Sequence, residues 1–190
     1  PTPSADERVV ALLLQRGKLK DTDLASARKL QEQDGGDLLV LLGRLVAHVH
    51  DHGHDEDSRS AARDVLRYFD LAAPQHHQDE ERHVLPPLLA SDDAAQRALA
   101  EQLVAEHRRM EALWAVLRGP LQQWAEAPPV STAFPQPEAL AEFTSVYADH
   151  IAREEGRAYP LARTLLDTAT LSQMGAEMSA RRHRPATGTP

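Results

Sequence analysis

The sequence has no cysteine, few aromatic residues and fewer basic than acidic residues. Without cysteine there are no disulfides, no thiolate metal ligands and no cysteine nucleophile. Aromatic residues make up only 4% of the 190 residues, so Leu, Ala and Val must fill most of a core. The net charge of −8 argues against a general nucleic-acid-binding protein. No apolar run reaches the ~18 residues of a membrane span, and no signal-peptide pattern opens the sequence, so we expect a cytoplasmic protein.

The residues that are present are typical of α-helices. Ala, Leu, Glu and Arg dominate, and runs of β-branched residues are missing. Glycine and proline mark the expected breaks, among them Pro86-Pro87. The sequence predicts helices over 5–16, 21–33, 37–50, 59–85, 93–125, 138–159 and 168–182. Four of these carry an apolar stripe at helical spacing, so the fold class is predicted to be all-α, an antiparallel bundle.

One short frame occurs twice. Residues 76–86 read HHQDEERHVLP and residues 150–160 read HIAREEGRAYP. Positions i and i+4 share a helix face, so each frame directs a His and a Glu to the same side. Both pairs fall on apolar stripes, where His76, Glu80, His150 and Glu154 replace apolar residues. His107 does the same on the stripe of the helix between them.

Histidine and glutamate at interior positions indicate a metal site. A buried carboxylate without a partner is costly, and these stripes bring no Lys or Arg with it. Imidazole and carboxylate ligands without thiolate suit iron, manganese or zinc, and carboxylates also bridge paired metals. A single His-x-x-x-Glu is common as a surface pair. Two copies in one frame, with His107, favour the metal interpretation.

The segments HHQDEERHVLP, AEHRRMEALW and YADHIAREEGRAYP resemble helices two, three and four of the hemerythrin-like, His-His-Glu cation-binding family. The resemblance covers roughly residues 38–182. It implies an up-down-up-down four-helix bundle around a non-haem di-iron centre, with two iron ions per chain. The ligands that it implies are His76, Glu80, His107, His150 and Glu154.

Further residues could complete or surround such a centre. Glu111 lies where animal hemerythrins have a second His of helix three. Glu81 and Glu155 are the second Glu of each frame, and Tyr147 could hydrogen-bond to a bound ligand. His77 and His83 are less favoured as ligands.

The family also takes a His from helix one, and here the sequence departs from the pattern. His107 and His150 are 43 residues apart, and the same step back from His76 reaches residue 33. Glu32 or Asp34 could substitute there, which predicts a weakened second iron site. The histidines between 48 and 54 are expected to be solvated and near a loop; the alternative is an accessory metal site.

A second resemblance covers roughly residues 8–45. RVVALLLQRGKLKDTDLASARKLQ, residues 8–31, resembles the N-terminal helical motif of type II secretion and pilus assembly ATPases, and a truncated second copy follows. No phosphate-binding loop is present, so ATPase activity is not expected. We therefore expect an N-terminal helical segment over 1–37, a hemerythrin-like bundle over 38–182 with its C-terminal helix, and a disordered tail over 183–190.

These residues leave three functional classes open. The first is a non-haem iron protein, expected to be di-iron, that binds or senses dioxygen, nitric oxide or iron. The second is a peroxidase-like or oxygenase-like enzyme with peroxide or dioxygen as substrate, which is less favoured. The third is a metal-poor interaction module, in which the N-terminal segment binds a protein partner of unknown identity.

Overall fold

The computed structural model describes residues 35–126, 132–167, 170, 173–174 and 176–178. These residues contain no strand, and most of them belong to four long helices. We name the helices α1 (Gly35–His52), α2 (residues 56–89), α3 (Ala94–Glu126) and α4 (residues 137–165). The predicted all-α helical bundle is confirmed.

The helices are longer than the sequence predicted, chiefly at two prolines. α2 runs to residue 89 instead of 85, and α4 runs to 165 instead of 159, so Pro86 and Pro160 lie inside continuous helices. α1 and α3 match their predictions within two residues. The helices predicted over 5–16 and 21–33 lie outside the described residues, as does most of 168–182.

α2 and α4 are interrupted by π turns. In α2 the α-helical segments Glu56–Arg67, Ala73–Asp79 and Leu85–Leu89 are joined by π turns at Tyr68–Ala72 and Glu80–Val84. In α4 the π turn Glu154–Ala158 joins Pro137–Arg153 to Tyr159–Leu165. A π turn inserts one extra residue into a helix, and such turns are frequent at functional sites.

A three-residue connection joins α1 to α2. Gly53 has a φ of 83°, a conformation that favours glycine, and it turns the chain between the two helices. Asp55 then caps α2, because its Oδ1 accepts a hydrogen bond of 2.8 Å from the Ser58 amide. Ser58 Oγ accepts one of 2.9 Å from the Asp55 amide in return. This capping box satisfies amides that the first turn of a helix would leave unpaired.

Packing divides the interior into two apolar clusters. α1 and α3 each pack against both α2 and α4. The larger cluster draws on all four helices and includes Leu42, Phe69, Leu117 and Phe143. The smaller one comes from α2, α3 and α4 alone and consists of Leu85, Leu88, Leu99, Ala100, Leu103, Ala158 and Ala162. Among the described residues, no helix is long and apolar enough to cross a membrane.

Candidate metal centre

On each of three helices, buried polar side chains occupy the stretch of chain between the residues of the larger apolar cluster and those of the smaller one. α2 leaves the larger cluster at Ala73 and enters the smaller at Leu85, and α3 and α4 make the corresponding change between 103 and 110 and between 147 and 158. Each helix places its polar residues in this interval. We call this set the central band; it comprises His77, Glu80, His107, His150 and Glu154, all of them buried.

The donor atoms of the central band converge. One ligand atom each from Glu80, His107, His150 and Glu154 lie within 4.8 Å of one another, and a second such group consists of His77, His107 and His150. Nε2 of His107 is 3.2 Å from Nε2 of His150 and 3.3 Å from Oε2 of Glu80. Nε2 of His150 is 2.7 Å from Oε1 of Glu154. Three helices therefore present nitrogen and oxygen ligands to one small volume.

Each of the two facing imidazoles is held from behind by a carboxylate. Nδ1 of His107 donates to Glu81 at 2.9 Å, and Nδ1 of His150 donates to Glu106 at 3.0 Å. The second oxygen of each carboxylate accepts from an arginine, Arg108 for Glu81 and Arg153 for Glu106, both at 2.8 Å. A proton on Nδ1 leaves Nε2 as the ligand atom, which is the usual arrangement behind a metal-binding histidine.

The chemistry of this donor set fits a cation. Oε2 of Glu80 is buried and has no hydrogen bond, since His107 Nε2 is close to it but not aligned as a donor. Two imidazole nitrogens face each other at 3.2 Å, where at most one proton could lie between them. Two imidazoles and two carboxylates, without thiolate, suit iron, manganese or zinc. A cation among them would satisfy all four groups together.

The pKa values of the central band indicate which protons a bound cation would displace. Burial, followed by the charge of Glu80, raises the pKa of Glu154 well above its usual range. Burial also acts to raise the pKa of Glu80, but the charge of His76 and the proximity of the His107 imidazole hold it well below its usual range. Burial opposes the charged form of His107, yet the nearby carboxylates of Glu154 and Glu80 raise its pKa to about 9. Metal binding would thus displace protons from Glu154 and His107.

His77, not His76, occupies the interior position of α2. The side chain of His76 is 28% exposed, and its Nε2 lies 3.6 Å from Oε1 of Glu80. It belongs to neither donor group, whereas His77 is buried and its ring stacks on that of His107 at 4.2 Å. The extra residue of the π turn Tyr68–Ala72 is the cause, because it moves the interior position one residue along the chain.

The other predicted residues have different places. Glu111 is 52% exposed and pairs with Arg108 at 3.2 Å, since the interior face of α3 passes through Met110 instead. Glu155 is half-buried and outside both donor groups. Nε2 of His83 is 2.7 Å from Glu177. Glu32 and Asp34 lie outside the described residues.

Two tyrosines contact the central band. The hydroxyl of Tyr147, a predicted candidate, lies 3.4 Å from Nε2 of His77. The hydroxyl of Tyr159 donates to Oε1 of Glu80. Tyr159 and Glu106 were not predicted from the sequence. Tyr159 lies next to Pro160, where the helix was expected to end, and Glu106 is brought to His150 only by the packing of α3 against α4.

The histidines between 48 and 54 lie at the connection between α1 and α2. Nε2 of His48 is 2.8 Å from Asp55, and His50, 71% exposed, pairs with Asp51 at 2.8 Å. Nδ1 of His54 is 3.0 Å from Ser58 Oγ. None of them belongs to a donor group of three or more within the part of the chain that the structure describes.

The fold and the central band define an all-α bundle protein with a buried His–Glu cluster that fits a metal site. The sequence model of the Hemerythrin HHE cation binding domain matches residues 36–162, and the chain belongs to this family. It is 28% identical over 141 residues to an uncharacterized protein of Haemophilus influenzae, covering 74% of this chain and 79% of that protein.

A segment of 50 residues is 60% identical to part of the type II secretion system protein E of Xanthomonas campestris pv. campestris. The segment is 26% of this chain but only 9% of that protein. Both resemblances predicted from the sequence are therefore confirmed.

Proposed function

We propose that this chain binds iron in the central band and that the iron binds a small ligand, dioxygen, nitric oxide or peroxide. The observation that carries the proposal is the convergence of Glu80, His107, His150 and Glu154, all buried, with ligand atoms within 4.8 Å of one another. Membership of a cation-binding family supports the same conclusion. Iron, when bound, supplies redox chemistry and affinity for small diatomic molecules.

The protein's own residues orient the ligands and limit the access of water. The carboxylates of Glu81 and Glu106 fix the rings of His107 and His150, so that Nε2 of each faces inward. Tyr159 holds one oxygen of Glu80, which leaves Oε2 as the ligand atom. The two apolar clusters on either side keep the centre away from bulk water.

The described donors favour one tightly held ion. All four atoms of the larger group lie close enough to share a single cation. Among the described side chains of α1, none belongs to either donor group. A second iron would depend on His76 or His77 together with a ligand such as Glu32 or Asp34. We therefore expect the second ion of a di-iron centre to bind more weakly than the first.

Anaerobic reconstitution with Fe(II) tests this proposal. Nitric oxide, and separately dioxygen, added to the reconstituted protein should change its absorption spectrum, and removal of the gas should reverse the change for a carrier or sensor. H150A should show no such change, whereas H83A, which alters a half-buried histidine outside the central band, should behave like wild type. Sustained consumption of peroxide would instead indicate an enzyme. A wild-type protein that takes up iron but responds to none of these ligands would contradict the proposal.

A further inference from the structure

Each of the three π turns ends two residues before a proline. The turns Tyr68–Ala72, Glu80–Val84 and Glu154–Ala158 are followed by Pro74, Pro86 and Pro160. Two of the turns begin at Glu80 and Glu154, the glutamates of the central band. The repeated frame of the sequence, with Glu at +4 and Pro at +10 from its histidine, is therefore also a repeated backbone feature.

The backbone hydrogen bonds explain the spacing. The residue before each proline donates its amide to the carbonyl five residues back: Ala73 to Tyr68, Leu85 to Glu80, and Tyr159 to Glu154. In a regular α-helix a proline has no amide to donate, and its ring clashes with the carbonyl four residues back. That carbonyl belongs to the central residue of each π turn. The wider turn moves it aside, and the helix continues.

The extra residue changes which side chains face the interior. A regular helix advances ~100° per residue, so one inserted residue rotates everything beyond it by that angle. Before the first turn, α2 buries Ala62 and Val65; beyond it, α2 buries His77, one residue past position 76, which would continue the regular period. Beyond the turn in α4, Ala162 is buried where the regular period predicts 161.

We propose that Pro74, Pro86 and Pro160 are positioning residues for the metal centre. Each proline maintains a π turn, and the turns set the register of the donors. The turn before Pro74 places His77 in the interior in preference to His76. The turns before Pro86 and Pro160 let Glu80 and Glu154 face the cation while Leu85 and Ala158 pack in the smaller apolar cluster. This inference rests on the proposed function, because it concerns the same centre.

The proposal predicts effects of opposite sign on helix stability and on metal affinity. Proline inside a helix is normally destabilising, so replacement by alanine should make the metal-free protein melt at a higher or equal temperature. If the prolines position the donors, the same replacement weakens metal binding. Pro120 offers the matched control, because it lies inside α3, which has no π turn.

Cobalt(II) binding to the full-length, metal-free chain tests the proposal. We expect P160A and P74A to bind cobalt at least about 10-fold more weakly than wild type, as for other residues that orient metal ligands, and P120A to bind as wild type does. Unchanged affinity in P160A and P74A would overturn the proposal, and so would an equal loss in P120A. A wild-type chain that binds no cobalt would overturn the proposed function and this inference with it.

A second comparison examines register directly and does not depend on overall stability. In the wild-type background H77A should weaken cobalt binding more than H76A. In the P74A background this order should reverse, since His76 would return to the interior position. An order that is the same in both backgrounds would overturn the role of Pro74, even if P74A itself binds more weakly.

Discussion

At the scale of residues, the feature that sets the centre apart is the pair of imidazoles whose Nε2 atoms face each other. His107 and His150 point Nε2 at each other, and Glu81 and Glu106 fix the opposite ring nitrogens. The two carboxylates are in turn bound by arginines on α3 and α4. The guanidinium groups of Arg108 and Arg153 thus pair with the two carboxylates that hold the imidazoles.

Glu106 and Glu111 provide a matched pair on α3. We expect E106Q to weaken metal binding by about 10- to 100-fold, because the amide no longer fixes the ring of His150 as the carboxylate does. E111Q changes the same group on an exposed position and should leave the affinity unchanged. Competition between the protein and a chromophoric chelator for cobalt measures both. Equal affinities for the two variants would show that Glu106 plays no part.

Glu154 should link metal binding to the pH dependence of the metal-free protein. Its pKa is raised in the folded state, chiefly by burial, so the folded protein binds more protons than the unfolded one above the ordinary pKa of a glutamate. Stability of the metal-free protein should therefore fall as the pH rises from about 4.5. E154Q should remove much of this fall and also lose the metal. Thermal melts of both proteins from acid to mildly alkaline pH check the prediction, and parallel curves would contradict it.

At the scale of elements, the sequence predicted the helices but not their internal register. The stripes of Leu, Ala and aromatic residues were enough to place α1 to α4, because period and composition agreed. The same regular period placed His76 in the interior, and the structure has His77 there instead. A stripe of fixed period cannot reveal an inserted residue. The available signal was a proline within a strong helical pattern, which we interpreted as a helix end.

The start of α2 gives a prediction in the acid range. The hydrogen bond from the Ser58 amide, followed by that from His48, lowers the pKa of Asp55 to about 2. A lowered folded-state pKa means that the stabilising contribution is present above the unfolded pKa of about 3.8 and is lost as the pH falls toward 2. D55A should melt at a lower temperature than wild type at pH 7, and the difference should shrink below pH 4. D57A, two residues further along the chain and outside the capping box, is the control.

At the scale of the whole molecule, the central band separates two apolar clusters. Glu80 and Glu154 are polar and belong to neither cluster. A metal ion bound by the donors of the band would link α2, α3 and α4. Metal should therefore stabilise the folded chain, by about 2.7 kcal/mol when free metal is 100 times the dissociation constant. Thermal melts with and without a chelator measure this, and the shift should be absent in H107A.

Removal of the N-terminal segment tests whether the centre is complete without it. All five residues of the central band lie between 77 and 154. A chain that begins at residue 35 should therefore retain one tightly bound ion. It should lose any second, weaker ion that depends on Glu32 or Asp34. Titration with cobalt compares the two chains, and loss of all binding would show that the described donors are insufficient.

The most direct test of the central claim is the content of iron, manganese and zinc per chain, measured by elemental analysis on protein produced with ample iron. We expect about one tightly held metal ion per chain, with iron in excess of manganese and zinc. H107A and E154Q should contain no tightly held metal ion. About two iron ions would extend the account to a complete di-iron centre. Folded wild-type protein without bound metal, verified by circular dichroism, would contradict it.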